Sequence, residues 1–263
     1  MIFELTMPGH KLVMDDDKFA WEASGFLGHI KDAFFCANIA LCDFRKSSIV
    51  ADAMCNAEDV AAEREDYRRR YRELYEKRKR EIGRLDGKAG RRLGQEVELA
   101  LRREDWARGI EPDIFTHKRA FINAKSFVYS LDDFGNFLKV LSLMNGVPPS
   151  VCVVHKKLID KFPLLREVRN SAHHPEDRMR GGKKVRGVEQ LIDIKLPDGT
   201  TATAPEYGII DENLNGERFV VLTKDGVQSD TEVSLRTLAY FRDIFHEVAN
   251  EFEWEGESTV EPR

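Results

Sequence analysis

Two long stretches of the chain repeat apolar side chains every three or four residues, and that period leaves little choice of fold. From about Asp17 to Arg45 the repeat runs through Phe19, Trp21, Phe26, Leu27, Ile30, Phe34, Ala37, Ile39 and Leu41. From Pro112 to about Met144 it runs through Phe115, Phe121, Ile122, Phe127, Leu131, Phe134, Phe137, Leu138 and Leu141. A helix turns once in about 3.6 residues, so such spacing collects the apolar groups on one side of a rod, and that side must be buried. Pro112 suits a first helical turn, and Asn145-Gly146 with Pro148-Pro149 stop the second rod.

The remaining elements follow from the same signals. Glu58 to Leu85 reads as a helix with Val60, Tyr67, Tyr71, Leu74, Tyr75 and Ile82 on one side and dense charge elsewhere. Gly83, Gly87, Gly90 and Gly94 interrupt that pattern, which predicts a loop or hinge over about 83–95 before a helix from Val97 to Trp106. Shorter helices are expected from about Ser150 to Asp160 and again after Pro163, the latter limited by Pro175. From Val185 onward the texture alternates: Val188, Leu191, Ile192 and Ile194, then Tyr207 to Ile210, then Arg218 to Thr223. Pro197-Asp198-Gly199 and Asp225-Gly226 are the turn signals of an antiparallel meander. A last helix is expected from about Ser234 to Phe252, with an acidic tail beyond Trp254 that frays. The expected architecture is mainly α, a long-helix bundle with a small antiparallel β meander inserted before the C-terminal helix. It forms a single helical domain over 1–263, with 58–106 a charged helical extension and 185–230 the β insertion. A chain of 263 residues is long enough for an ample core.

No stretch is apolar enough to span a bilayer, and Met1 to Asp16 lacks the order of a secretory signal, so the expectation is a cytoplasmic chain with no membrane partner. Cys36, Cys42, Cys55 and Cys152 form no CxxC pair and read as buried free thiols. The net charge of -5 gives no global attraction to nucleic acid. Any such partner must be met by a local basic surface.

Chemistry concentrates between Leu164 and Arg178, in the run Arg166-Glu167-Val168-Arg169-Asn170-Ser171-Ala172-His173-His174-Pro175. On a helix Arg166, Arg169 and His173 share a stripe, with Asn170 and His174 an adjacent pair four residues apart. The order arginine, polar residue, three residues, histidine, carried by Arg169, Asn170 and His174, resembles the motif of the HEPN (higher eukaryotes and prokaryotes nucleotide-binding) superfamily. The resemblance implies a helical domain, a homodimer that brings two copies of the motif together, and metal-independent cleavage of RNA. In such a toxin or antiviral effector an antitoxin protein would be a further partner. The β meander and the arginine-rich helix depart from the minimal family domain.

The residues support the same chemistry on their own. RNA has a 2′-hydroxyl beside its scissile phosphate, so cleavage needs a proton acceptor, a cation for the phosphate and a proton for the leaving oxygen. Histidine titrates near neutrality and arginine grips phosphate with two parallel donors. His174 is then the acid or base, with His173 its neighbouring competitor, while Arg169 holds phosphate and Asn170 orients the imidazole or a phosphate oxygen. Arg166, Arg178, Lys183 and Lys184 are candidates for substrate binding. No cofactor and no metal are expected. A non-catalytic module binding a nucleotide, a nucleic acid or a protein through the same pocket is the competing reading.

Other constellations carry less. The basic run from Arg64 to Arg80, interleaved with Tyr67, Tyr71 and Tyr75, could track a phosphate backbone, but its acidic residues also suit a solvated, internally paired helix. Cys152, His155, His173 and His174 match no zinc spacing, and His246-Glu247 lacks the second histidine of HExxH. His174-Pro175-Glu176 has no PCxxC to complete a deaminase signature. Gly181-Gly182-Lys183 lacks the upstream glycine of a P-loop.

Overall fold

A computed structural model describes residues 2–53, 57–173, 191–195, 201–205, 212–223 and 227–262. The protein is mainly α, with small antiparallel sheets and a strand meander before the last helix. It divides into two compact units, one of residues 1–44 with 121–263 and one of residues 45–120. The divisions fall inside α1 (Asp17–Ala53) and inside α4 (Asp113–Ser142).

In the first unit the apolar stripes of α1 and α4 are buried along with α5 (Pro149–Lys161), α6 (Leu165–His173) and α7 (Leu235–Asn250). Phe34, Phe44, Phe127, Phe134, Phe241 and Phe245 are among its fully buried side chains. Phe134 of α4 meets Phe241 of α7 edge-on at 5.1 Å, and Phe162, just after α5, reaches the same ring at 5.3 Å. Ser234 caps α7 by accepting from the Thr237 amide, which supplies one of the donors a helix start leaves open.

Both stripes are narrower than their spacing implies. Trp21 is 76% exposed and Ile39 63%, and Ile122 of α4 also lies open. A period near 3.6 fixes which residues share a side; how wide a strip the neighbouring elements cover is decided by packing. The thiols follow the same logic, since Cys36 and Cys152 sit on solvent faces and Cys42 is half-buried, against the expectation of burial; Cys55 lies outside the described residues.

The ends of the chain pair. β1 (Leu5–Met7) runs antiparallel to β9 (Thr259–Glu261), and β2 (Lys11–Val13) to β8 (Glu253–Glu255). The acidic tail therefore does not fray. Trp254 donates from its indole to the Ala249 carbonyl at 2.7 Å, Lys31 meets Glu261 at 2.9 Å, and Leu5 and Leu12 are buried beneath. His246 of α7 accepts from the Thr6 amide at 3.0 Å, tying β1 to the helix, and burial holds its imidazole below the usual range with help from the Arg242 charge.

The meander comprises two antiparallel sheets. β3 (Leu191–Lys195) pairs with β4 (Thr201–Pro205), and β5 (Glu212–Asn215), β6 (Arg218–Leu222) and β7 (Gln228–Glu232) form a three-stranded sheet. The two-residue turn between β5 and β6 places Gly216 at φ +58, a conformation that favours glycine. Phe219 of β6 is fully buried and lies 5.4 Å from the Phe121 ring, while α6 packs on β6 and β7. The expected strand Tyr207 to Ile210 and turn Pro197 to Gly199 lie outside the described residues.

The second unit is built on α2 (Ala57–Ile82) and α3 (Gly87–Ala107). Leu93, Val97 and Leu101 of α3 are buried against Tyr67, Tyr71, Leu74, Tyr75 and Leu85. The loop expected over 83–95 shrinks to the few residues before Gly87. Gly83, at φ +88, ends α2, and Asp86 starts α3 by accepting from the Lys88 and Ala89 amides at 2.9 and 2.7 Å. Gly87, Gly90 and Gly94 lie within α3, and a Cβ at Gly94 would come within 2.9 Å of the Tyr71 hydroxyl. Arg70 of α2 donates to Asp105 of α3 at 2.6 Å, and Arg108 joins it at 2.5 Å. Burial opposes the Asp105 charge, but these two hydrogen bonds outweigh it and hold the carboxyl below the usual range.

Candidate functional site

The short helix α6 presents two faces. Leu165, Val168, Ser171 and Ala172 are buried, whereas Arg166, Asn170 and His173 are exposed and Arg169 is half-buried. Spacing at three and four residues is what turns Arg166, Asn170 and His173 away from the core, with Arg169 at its edge. His174, Arg178, Lys183 and Lys184 lie outside the described residues.

The polar face of α6 meets a ladder on α4. Lys125, Tyr129, Asp132 and Asn136 follow one another at steps of four, three and four, one side of that helix. Arg166 donates to the Asn136 side-chain oxygen at 2.7 Å, and Asn136 in turn donates to Asp132 Oδ2 at 2.9 Å. Arg169 Nε stands 3.7 Å from the same carboxylate oxygen, its Nη1 donates to Asn170 Oδ1 at 3.2 Å, and its guanidinium lies 5.5 Å over the Tyr129 ring. His173 approaches that ring edge-on, with centroids 5.8 Å apart. Tyr129 thus lies against both the motif arginine and His173, the neighbour of the motif histidine.

Asp132 is 7% exposed, and its ionisation is the central electrostatic fact of the site. Burial pushes its carboxyl above the usual range, while the Asn136 hydrogen bond and the charges of Arg166 and Arg169 pull the other way without prevailing. Burial likewise raises the Tyr129 phenol, opposed by the Lys125 and Arg169 cations and reinforced by Glu212. Lys125 is held by Glu212 of β5 at 2.9 and 3.3 Å and lies 5.8 Å from the Tyr129 ring centre. The Tyr129 hydroxyl and Arg169 Nε are buried with no hydrogen-bond partner among the described residues. The cluster therefore joins two guanidinium groups, a reluctant carboxylate, an amide and a phenol with an imidazole at its edge. Such a set can bind an oxyanion, orient it and exchange a proton.

Of the residues singled out in the sequence, Arg166, Arg169, Asn170 and His173 come together. Lys125, Tyr129, Asp132 and Asn136 were not singled out. Their signal was present as polar residues at helical spacing along an apolar rod, but their partners stand 30 or more positions away. Among the described residues no three of His, Cys, Asp and Glu gather as metal ligands would. His155 instead lies half-buried on α5, its imidazole held low by burial and by Lys139, and Glu247 is bonded to Lys157 at 2.5 Å. No described helix is long and apolar enough to cross a membrane.

In comparisons with known proteins, no family model, no curated protein and no solved structure matches the chain. The resemblance to the HEPN superfamily rests on Arg169, Asn170 and His174 alone.

Proposed function

We propose that the protein is a metal-independent endoribonuclease of the HEPN type, acting in the cytoplasm as a homodimer. The observation that supports this reading is the gathering of Arg166, Arg169, Asn170 and His173 on one face of α6, beside a buried carboxyl, Asp132, that burial pushes above the usual carboxylate range. In the reaction a base takes the 2′-hydroxyl proton while that oxygen bonds to the adjacent phosphorus. The bond from phosphorus to the 5′-oxygen breaks, and an acid protonates the departing oxygen. The product is a 2′,3′-cyclic phosphate, opening to a 3′-phosphate. His174 serves as acid or base, Arg169 neutralises the phosphate, and Asn170 orients it. Arg166, Arg178, Lys183 and Lys184 hold the strand. A toxin paired with an antitoxin protein, or an antiviral effector, is the setting this activity fits.

The test is RNA cleavage by the purified full chain in EDTA, with the new ends identified. Cleavage leaving cyclic or 3′-phosphate ends, lost in His174→Ala and Arg169→Ala while circular dichroism is unchanged, is the expected result. Activity abolished by EDTA, or full activity in both variants, refutes it. One observation favours a second reading, a non-catalytic binding or scaffold module. The Arg169 guanidinium is already engaged by Asp132, Asn170 and the Tyr129 ring. Binding of RNA or nucleotide without turnover, indifferent to His174→Ala, would establish that alternative.

A further inference from the structure

The second unit differs in charge from the rest of the chain. Residues 45–120 hold twenty lysines and arginines against sixteen aspartates and glutamates, while the remainder holds twenty-one against thirty. The excess concentrates where α2 turns into α3. From Lys77 to Arg92 stand eight basic side chains and two acidic ones, Glu81 and Asp86. Elsewhere on these helices pairing accounts for much of the charge, as in Arg69 with Asp66 and Arg102 with Glu98. At the turn it does not. Lys77, Arg78, Arg84, Lys88 and Arg91 are exposed and make no ion pair among the described residues, and Asp86 is occupied by the first amides of α3.

Beside this patch lies an aromatic face. Tyr71 and Tyr75 stack along α2 with centroids 5.9 Å apart and planes within 17°, and Tyr67 continues the ladder at 6.5 Å. The opposing face of α3 is Gly87, Gly90 and Gly94. At Gly94 a Cβ would come within 2.9 Å of the Tyr71 hydroxyl, so the tyrosine would have to shift. At Gly90 a Cβ would make only ordinary contact, 3.7 Å from the Tyr75 hydroxyl, and at Gly87 it would meet nothing. Glycine inside a helix costs about 1 kcal/mol relative to alanine, so packing gives no reason for Gly90. What these glycines leave is an open depression of about 610 Å³ against Tyr71 and Tyr75, rimmed by Arg91, Gln95 and Glu98.

Unpaired cations next to half-exposed, stacked rings fit a polyanion that carries flat, unpaired bases. Single-stranded nucleic acid has both features, whereas a duplex hides its bases and an anionic lipid surface has no rings to stack. We propose that the α2–α3 hairpin is a binding arm for single-stranded nucleic acid, with phosphates on the basic turn and a base against Tyr71 and Tyr75 in the depression left by Gly87 and Gly90. The arm stands on residues of the second unit and is independent of the ribonuclease reading.

The experiment is fluorescence anisotropy of the full chain with labelled oligothymidine and oligouridine of about 16 nucleotides, the upper site size of a single-strand binder. Oligothymidine has no 2′-hydroxyl, so binding is read apart from cleavage, and the pair of probes distinguishes DNA from RNA. Five phosphate contacts predict a slope of log affinity on log salt near -3.5, roughly a hundredfold loss between about 50 and 200 mM salt. Lys77→Ala/Arg78→Ala, in which alanine keeps the helix, is expected to weaken binding and to flatten the slope by about 1.4. Lys156→Ala/Lys161→Ala, on α5 and matched in charge, is expected to leave both unchanged. Gly90→Leu, and Gly90→Ala should the larger residue disturb folding, is expected to lower affinity without changing the slope. Absence of binding, equal losses in the two double variants, or binding to phosphatidylserine vesicles and to neither oligonucleotide overturns the arm. Binding through the arm with no RNA cleaved keeps the arm and refutes the ribonuclease reading alone.

Discussion

Replacing Asp132 by asparagine tests the electrostatics of the site directly, because the amide keeps an acceptor for Asn136 and removes only the charge. In the unfolded chain this carboxyl titrates at about 3.9. In the folded protein burial moves it upward despite Arg166 and Arg169. The folded state therefore holds the proton more tightly. The stabilisation from Asp132 is fully present below the unfolded value and is lost as pH rises through the folded one. Across that window the wild type should lose about 1.4 kcal/mol relative to Asp132→Asn for each pH unit, and above it the gap should be constant. Asp132→Ala removes the acceptor as well and leaves Arg169 without its ion-pair partner. Because burial already outweighs that pair, and the arginine is 29% exposed, the further loss should be mainly that of the acceptor, about 1 kcal/mol relative to Asp132→Asn. Urea denaturation followed by far-ultraviolet circular dichroism, from about pH 4 to about pH 7, measures both effects. A gap between wild type and Asp132→Asn that is flat with pH, or that moves in favour of the wild type as pH rises, refutes the argument. It would mean that the arginines prevail over burial.

Two further outcomes follow from the packing. Phe134→Ala opens a cavity against the Phe241 ring where both side chains are fully buried, and should cost about 3–5 kcal/mol in the same denaturation assay. A loss under about 1 kcal/mol would show that the site collapses to fill the space. Asp86→Ala removes the cap of α3 and should cost about 1 kcal/mol, with faster hydrogen exchange at the amides of Lys88 and Ala89 as its local sign. Unchanged exchange there would contradict the capping role.

Much of the helical framework was legible in the chain. The stripes through Phe34 and Leu41 and through Phe127, Phe134 and Leu141 mark buried helix faces, and Pro149 and Ser234 stand at helix starts. These are local signals, readable within two or three turns. Gly87, Gly90 and Gly94 misled for the converse reason. Glycine weakens a helix taken by itself, and the sequence does not show the Asp86 cap that starts α3 or the tyrosines of α2 that lie against it, the Tyr71 hydroxyl closest at Gly94. The candidate site was half legible. Arg166, Arg169, Asn170 and His173 are adjacent in sequence and were seen together, whereas Asp132 looked like one polar residue among many on a long rod.

By itself the sequence determined most of the helical segments, though not the start of α3, which residues share a side of each, and that the arginine and histidine chemistry gathers on one short helix. Backbone period and side-chain spacing suffice for that. Only the tertiary structure decided that Leu5 pairs with Glu261, that Trp21 and Ile39 face solvent, and that Arg169 lies against Asp132 and Tyr129. These outcomes depend on which faces of distant segments meet. Periodicity says that a face is buried but not against what, and the pKa of a carboxyl is set by what it is buried against.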